Sequence, residues 1–236
     1  SQNISIPRQS GSATGEWLDL DGTSTITPSD PVFDNVSMTM KTVAGMTQMS
    51  HRALKQGLPG VDQLVTNDLA KVLATALDVA ALTGAESATV PGGILTRITP
   101  TSFTPPPDLG DIVDLEGAVA QANALEGSLA YATTPALMAT LKQTPVDAGS
   151  GAMIWTGSLD GAMMNGYRAV ASSNVPLNTV LFGDWSSVLV GMWGNGVEIN
   201  TDEYSEFSKG NVSIRAIMDC DVNLRHLASF AAIEPA

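Results

Sequence analysis

The clearest periodic pattern of apolar residues lies between residues 61 and 83. Its apolar members recur at intervals of three and four residues, which is the spacing of one face of an α-helix. They are Val61, Leu64, Val65, Leu69, Val72, Leu73, Ala76, Leu77 and Ala80. Pro59-Gly60 precedes the pattern and Gly84 follows it, as expected at helix ends. At about 1.5 Å per residue the predicted helix is roughly 35 Å long, so we expect it to form the backbone of the molecule.

Alternation of apolar and polar residues marks the region before this helix, at residues 16–21 and 36–41. This is the period of a half-buried strand. In the second segment one face carries Val36, Met38 and Met40, and the other carries Ser37, Thr39 and Lys41. A polar stretch from Gly22 to Pro31 separates the two segments, so they predict a long two-stranded excursion. Because a lone hairpin is only marginally stable in water, we expect this one to lie on something else, such as a second subunit.

Residues 1–12 are polar and aperiodic, and they predict an extended arm. A Gly-, Pro- and Thr-rich connection at residues 85–110 marks a boundary between two subdomains. Helices are predicted at 111–126 and from Thr134-Pro135 through Leu141, where Thr can cap the helix and Pro can occupy its first position. Short strands are predicted at 129–132, 153–155, 167–171, 179–182, 187–192, 197–200, 212–220 and 224–233, with a hairpin turn at Gly194-Asn195-Gly196. The predicted fold class is therefore α+β.

Composition restricts the classes of partner. The chain has 236 residues with 44% hydrophobic and only 15% charged residues, and its net charge is −13. Its 11 Lys and Arg residues cannot form a broad basic stripe, which argues against tight, phosphate-driven binding of nucleic acid. An acidic wall is compatible with enclosing DNA without adhering to it. No apolar run approaches the roughly 20 residues of a membrane span, and no signal peptide is visible, so we expect no membrane partner.

Candidate catalytic and metal-binding residues are few. Neither histidine, His51 or His226, lies beside a nucleophile motif such as G-x-S-x-G. Asp19 and Asp21 with Gly22 form a fragment of a calcium loop whose further acidic ligands are absent. The single cysteine, Cys220, excludes an internal disulfide and is expected to be a small buried apolar residue. We predict no catalytic residue, no metal, no cofactor and no enzymatic activity.

Several segments, taken in order over residues 13–233, resemble the major capsid protein family of tailed phages, the Hong Kong 97 type. The segments are Glu16-Trp17-Leu18 through Ser29-Asp30-Pro31-Val32-Phe33, Val36 to Lys41 with Met49 to Leu54, the helix 61–83 followed by Pro91-Gly92-Gly93-Ile94-Leu95, Ala132 to Lys142, Leu159 to Pro176, and Phe182 to Gly191. No single segment is specific, but their order and spacing together are.

The resemblance implies an architecture and a function. It implies an N-terminal arm at 1–12, an extended hairpin at 13–49, a peripheral domain at 50–110 and 201–236 with its spine helix at 61–83, and an axial domain at 111–200. It also implies hexamers and pentamers of an icosahedral shell that encloses double-stranded phage DNA in the virion, after assembly in the host cytoplasm. Scaffold or protease, portal and decoration proteins are the further partners it suggests. A chain that begins at Ser1 is consistent either with a removed leading segment or with disordered ends.

The resemblance also implies contacts between subunits. We expect the hairpin residues Trp17, Asp19, Asp21, Thr27, Asp30 and Phe33 to touch a neighbouring subunit. Some relatives join subunits by an isopeptide bond between a hairpin lysine and an asparagine, and Asn211 lies near the position of that asparagine. Thr27 stands at the lysine position, and no lysine occurs between Glu16 and Met40, so we predict no covalent cross-link.

Two alternatives remain open at this point. One alternative has the same fold but a different content of the shell: an encapsulin-like compartment that houses enzyme cargo. The other is a soluble α/β hydrolase that uses scattered Asp and Ser residues with His226.

Overall fold

A long helix packs on a small three-stranded sheet. The strands of that sheet come from both before and after the helix in the chain. The computed structural model describes residues 3–18, 25–50, 61–147, 149, 151–158, 161–202, 204–205 and 209–235. In chain order the elements are β1 (Ile4–Gly11), β2 (Val32–Met38), β3 (Lys41–Ser50), α1 (Val61–Thr83), α2 (Ile94–Arg97), β4 (Thr101–Phe103), α3 (Leu109–Gln121), β5 (Leu129–Thr133), α4 (Pro135–Leu141), β6 (Trp155–Thr156), β7 (Met163–Met164), β8 (Tyr167–Ala171), β9 (Val180–Asp184), β10 (Val188–Asp202), β11 (Asn211–Leu224) and β12 (Phe230–Pro235).

Helix α1 has the predicted bounds and packs on the antiparallel sheet β10-β11-β3. Leu69 and Leu73 are buried against the apolar side chains of β11, including Ile214 and Cys220. The predicted burial of Cys220 is therefore confirmed, and burial raises the pKa of its thiol. Leu64 and Val72, which belong to the same apolar stripe, stay largely exposed. The sheet contacts a narrower arc of the helix than the stripe occupies.

The predicted hairpin turn at Gly194-Asn195-Gly196 was wrong. Residues on both sides of it belong to the one strand β10, and both pair with β11: Trp193 lies opposite Asp219 and Glu198 lies opposite Ile217. The glycines do have positive φ angles, 76° and 94°, but they form a bulge in an edge strand. A local preference for positive φ fits a bulge as well as a turn, so the pairing with β11 decides between them.

A second sheet of seven strands, in the order β4-β12-β9-β5-β8-β7-β6, contains the largest core. Helix α3 covers it with the buried residues Ile112, Leu115 and Val119. This helix begins and ends earlier than predicted. Asp108 and Asp111 form a capping box at its start, and Asn123 adopts a φ of 52° just beyond its end.

The helix predicted to begin at Thr134-Pro135 is confirmed as α4. The Thr134 hydroxyl accepts a hydrogen bond from the Leu137 N–H at 3.3 Å, and Pro135 is the first helical residue. Other predicted strands shift in their bounds. The strand expected at 224–233 begins at Phe230, because residues 227–229 form a short 3-10 turn before it.

The N-terminal region pairs differently from the prediction. Strand β1 lies within the segment predicted to be an extended arm, and it pairs antiparallel with β2 over Ile4 opposite Met38 to Gly11 opposite Val32. Residues 12–18 are not a strand, so the strand predicted at 16–21 was wrong for its described part, and residues 19–21 lie outside the described residues. In β1 the alternation of Ile4 and Ile6 with polar residues supplies an apolar face that lies opposite the buried Met38 and Val36.

The strand predicted at 36–41 also ends early. Val36 and Met38 are buried as expected, but β2 stops at Met38 and β3 starts at Lys41 in a different sheet. The predicted faces of the last two residues are therefore reversed, since Met40 is exposed and Lys41 is buried. The change of sheet at Thr39 and Met40 breaks the alternation.

Candidate assembly surface

The described part of the β1–β2 hairpin, residues 4–18 and 25–38, contacts the rest of the described chain near its root. There the half-buried Ile4 and Ile6 lie opposite the buried Met38 and Val36. Towards the loop the pattern changes, because residues 32–35 are exposed on both faces of the strand. Apart from the contact of Arg8 with Arg225, the outer half of the hairpin therefore has little cover from the described part of its own chain.

Large apolar side chains are exposed along this outer half. Trp17 is 100% exposed and Phe33 is 68% exposed, and Leu18, Ile26 and Val32 are exposed as well. Several large exposed apolar side chains on one segment are typical of a binding surface. Tryptophan in particular contributes much of the binding energy where it becomes buried in an interface.

The two described ends of the loop lie side by side. The Thr14 N–H donates to the Ser29 hydroxyl at 2.8 Å, and the Thr27 N–H donates to a Glu16 carboxylate oxygen at 3.1 Å. Beyond the ends of β1 and β2, where backbone pairing has stopped, these side-chain contacts hold the two described ends of the loop together.

Acidic residues dominate the charge of the hairpin. Glu16, Asp30 and Asp34 are exposed, and Arg8 forms an ion pair with Asp34 at 2.8 Å. The hydrogen bond from Arg8 holds the pKa of Asp34 below its usual value, and the Asn35 N–H acts in the same direction. The loop beyond this pair, residues 12–31, contains acidic residues and neither lysine nor arginine.

The predicted contact residues that the structure describes are all exposed on the hairpin: Trp17, Thr27, Asp30 and Phe33. Asp19 and Asp21 lie outside the described residues. Asn211, considered for a cross-link, is the first residue of β11 and pairs with Ser50.

Sequence reasoning missed the residues that hold the hairpin at its root. Arg8 reaches both Asp34 and the backbone oxygen of Arg225, and the buried Asp221 forms an ion pair with Lys41. The alternation of Ile4, Ile6 and Arg8 was the available signal for pairing of the first strand. Nothing local in sequence indicated that Lys41 lies next to Asp221.

The residues considered for metal binding and catalysis can be located in the structure only in part. Over those ranges no group of three His, Cys, Asp or Glu side chains could hold a metal ion. His226 is exposed and makes no side-chain hydrogen bond within the described structure, while His51 lies outside it. No helix in the described part of the chain combines the length and the apolar character needed to cross a membrane.

The buried carboxylate Asp184 has a structural role. Its oxygens accept hydrogen bonds from the N–H groups of Ser128 and Ser186 and from the hydroxyls of Ser186 and Ser187. Burial raises the pKa of Asp184, but these hydrogen bonds outweigh it and the net shift is downward. The carboxylate thereby stays ionised and joins β5, β9 and the turn that follows.

The Phage capsid family matches residues 1–234 of the chain. The chain belongs to this family. It is 31% identical over 231 residues to the major capsid protein of Halomonas phage phiHAP-1, with 97% of this chain and 37% of that protein covered. It is 24% identical over 250 residues to the major capsid protein of Klebsiella oxytoca phage phiKO2, with 95% of this chain and 58% of that protein covered. The chain therefore spans between about a third and three fifths of the length of these two relatives.

The fold is shared with solved phage capsid proteins. The capsid of a native GTA particle, computed with C5 symmetry, superposes with a TM-score of 0.79 at 16% identity, over 100% of this chain and 86% of that one. The Hong Kong 97-type capsid fold, expected from the resemblance, is confirmed. Members of the phage capsid family are structural proteins, and membership indicates no catalytic activity.

Proposed function

We propose that this chain is the shell-forming part of a phage major capsid protein, which assembles with copies of itself into the hexamers and pentamers of an icosahedral shell. The observation that carries the proposal is the capsid-family match over residues 1–234, on a fold shared with solved capsids. The function needs no bond-making step. Many modest contacts, repeated around a closed symmetric particle, suffice to stabilise a shell.

The hairpin supplies one of these contacts in the proposal. Trp17, Thr27, Asp30 and Phe33, together with Asp19 and Asp21, touch a neighbouring subunit. The exposure of Trp17 and Phe33 supports this role, because the described part of the chain leaves the first side chain fully exposed and the second largely exposed. Burial of such side chains gives about 1.5–3 kcal/mol each, which becomes available only when a second subunit arrives.

We further propose that the shell encloses double-stranded DNA without binding its sequence. The net charge of −13 supports this, since it opposes close association with phosphates. The division into a peripheral domain around α1 and an axial domain at 111–200, and contacts with scaffold, portal or decoration proteins, belong to the same proposal.

Electron microscopy of the purified protein, with light scattering on the same sample, tests the assembly. Closed icosahedral shells, or hexamers and pentamers, are expected. A chain that stays monomeric across salt, pH and concentration, also when supplied within its full-length protein, contradicts the proposal. Nuclease-protected DNA inside the shells separates a virion from an encapsulin-like compartment, which would hold protein cargo.

A further inference from the structure

The path of the chain changes sheet between two strands that are almost continuous in sequence. Strand β2 belongs to the two-stranded hairpin, whereas β3 belongs to the sheet under α1, and only Thr39 and Met40 lie between them. Two strands alone are marginally stable, so contacts at this junction must decide where the hairpin points.

The first contact is the carboxylate of Asp221 on β11. Its Oδ1 lies 3.1 Å from Lys41 Nζ, and its Oδ2 accepts the Thr39 N–H at 2.8 Å. The two charged side chains are only 7% and 5% exposed. The buried Asp221 carboxylate thus binds both Thr39, which follows the hairpin, and Lys41, which is the first residue of β3.

Asn223 and Arg225, the next two alternate residues after Asp221, bind the hairpin itself. The Asn223 side-chain amide donates to the Ser37 carbonyl oxygen at 2.9 Å. The carbonyl oxygen of Arg225, just beyond β11, accepts a hydrogen bond from the Arg8 guanidinium at 3.1 Å. Since Arg8 lies on β1 and Ser37 on β2, both hairpin strands are fastened to one strand end.

Apolar packing completes the junction. Met38 is buried beside Gly191 of β10, where an added Cβ would come within 3.2 Å of the Met38 sulfur. Glycine at this position therefore lets the hairpin approach the sheet closely.

We infer that Asp221, Asn223 and Lys41 are positioning residues that hold the β1–β2 hairpin at a set angle to the sheet, as a latch separate from the core of the protein. A buried ion pair is a weak source of stability compared with apolar residues of similar size, but it requires one geometry. The use of this latch in assembly rests on the proposed function, in which the hairpin must reach a neighbouring subunit. The latch itself is a property of the single chain.

Hydrogen exchange followed by mass spectrometry tests the latch in the full chain. The double substitution Lys41→Met with Asp221→Leu replaces the ion pair by apolar side chains and removes the acceptor for the Thr39 N–H. We expect amides of residues 32–38 to exchange at least tenfold faster than in the unsubstituted chain, whereas amides of α1 keep their protection. Asn223→Ala should accelerate the same amides to a smaller extent.

Asp219→Asn is the matched control. Asp219 lies on the same strand and accepts a hydrogen bond from the Thr42 hydroxyl at 2.6 Å, but Thr42 belongs to β3 and not to the hairpin. We expect this variant to leave residues 32–38 protected.

Three results would overturn the inference: unchanged hairpin exchange in the double variant, equal acceleration in α1 and the hairpin, or the same hairpin acceleration in Asp219→Asn. All samples are compared in one assembly state, verified by light scattering. If the unsubstituted chain forms no shells while the exchange results are as expected, the proposed function fails and the latch stands.

Discussion

The β1–β2 hairpin and the seven-stranded sheet differ in how far their large apolar side chains are buried. In the sheet, Tyr131 and Phe182 are fully buried with ring centroids 4.4 Å apart, and Tyr167 joins them. The Tyr131 hydroxyl donates to Glu116, which also accepts from the Asn165 amide at 2.8 Å. In the described part of the hairpin, Trp17 is fully exposed and Phe33 is largely exposed. The sheet buries its aromatic side chains within one chain, whereas the exposed side chains of the hairpin support the proposal that a second chain covers them.

The largest expected difference comes from removing an aromatic side chain in each region. Phe182→Ala should lower the free energy of unfolding by about 3–5 kcal/mol, because it leaves a cavity in the core. Trp17→Ala should change it by less than about 0.5 kcal/mol but reduce the yield of shells. Urea unfolding of the unassembled chain and electron microscopy of assembled samples measure the two effects. Normal shell yield from Trp17→Ala would remove that residue from the interface.

A glycine-to-alanine substitution in each region is a second test of the difference between the sheet and the hairpin. At Gly183 of β9 a Cβ would lie 2.3 Å from the Phe230 ring and 2.5 Å from the Ser229 carbonyl oxygen, whereas at Gly15 in the loop it would meet nothing within 4 Å. Gly183→Ala should therefore destabilise the chain by about 1–3 kcal/mol, the usual cost of overpacking. Gly15→Ala should be neutral in the same thermal unfolding experiment. Equal effects at both positions would contradict the contrast between a packed and an open region.

A pH titration of stability measures the contribution of Asp184 in the seven-stranded sheet. The folded-state pKa of Asp184 is depressed, so its contribution is fully present above the unfolded pKa near 3.8 and is lost as pH falls through the lower folded value. Asp184→Asn should reduce the loss of stability below about pH 4 and cost about 1–3 kcal/mol at neutral pH. Unfolding free energies from pH 2 to 7 measure both quantities. Parallel curves for the two proteins would show that Asp184 is not a source of the pH dependence.

The smallest expected effect is an absence of change. Because no lysine lies between Glu16 and Met40, we expect shells that are boiled in denaturant to migrate as single chains in electrophoresis. Covalent multimers that persist under reducing conditions would contradict this prediction.

Much of the core was predictable because its signals are local. The bounds of α1 follow from a stripe of apolar residues between glycines, and the start of α4 follows from a capping threonine before a proline. The pairing of strands is a different matter. Gly194-Asn195-Gly196 prefers the same backbone angles in a bulge and in a turn, and residues 16–21 alternate without joining a strand where they are described.

The sequence by itself determined the period of each element, the acidic charge and the presence of bulky apolar residues in a polar loop, since these depend on residue type and spacing. Only the tertiary structure decided which strand pairs with β2, and that Lys41 is buried beside Asp221, 180 residues away in the chain. The physical reason is that pairing and ion-pair formation depend on distances between segments far apart in sequence. Local preference does not encode those distances.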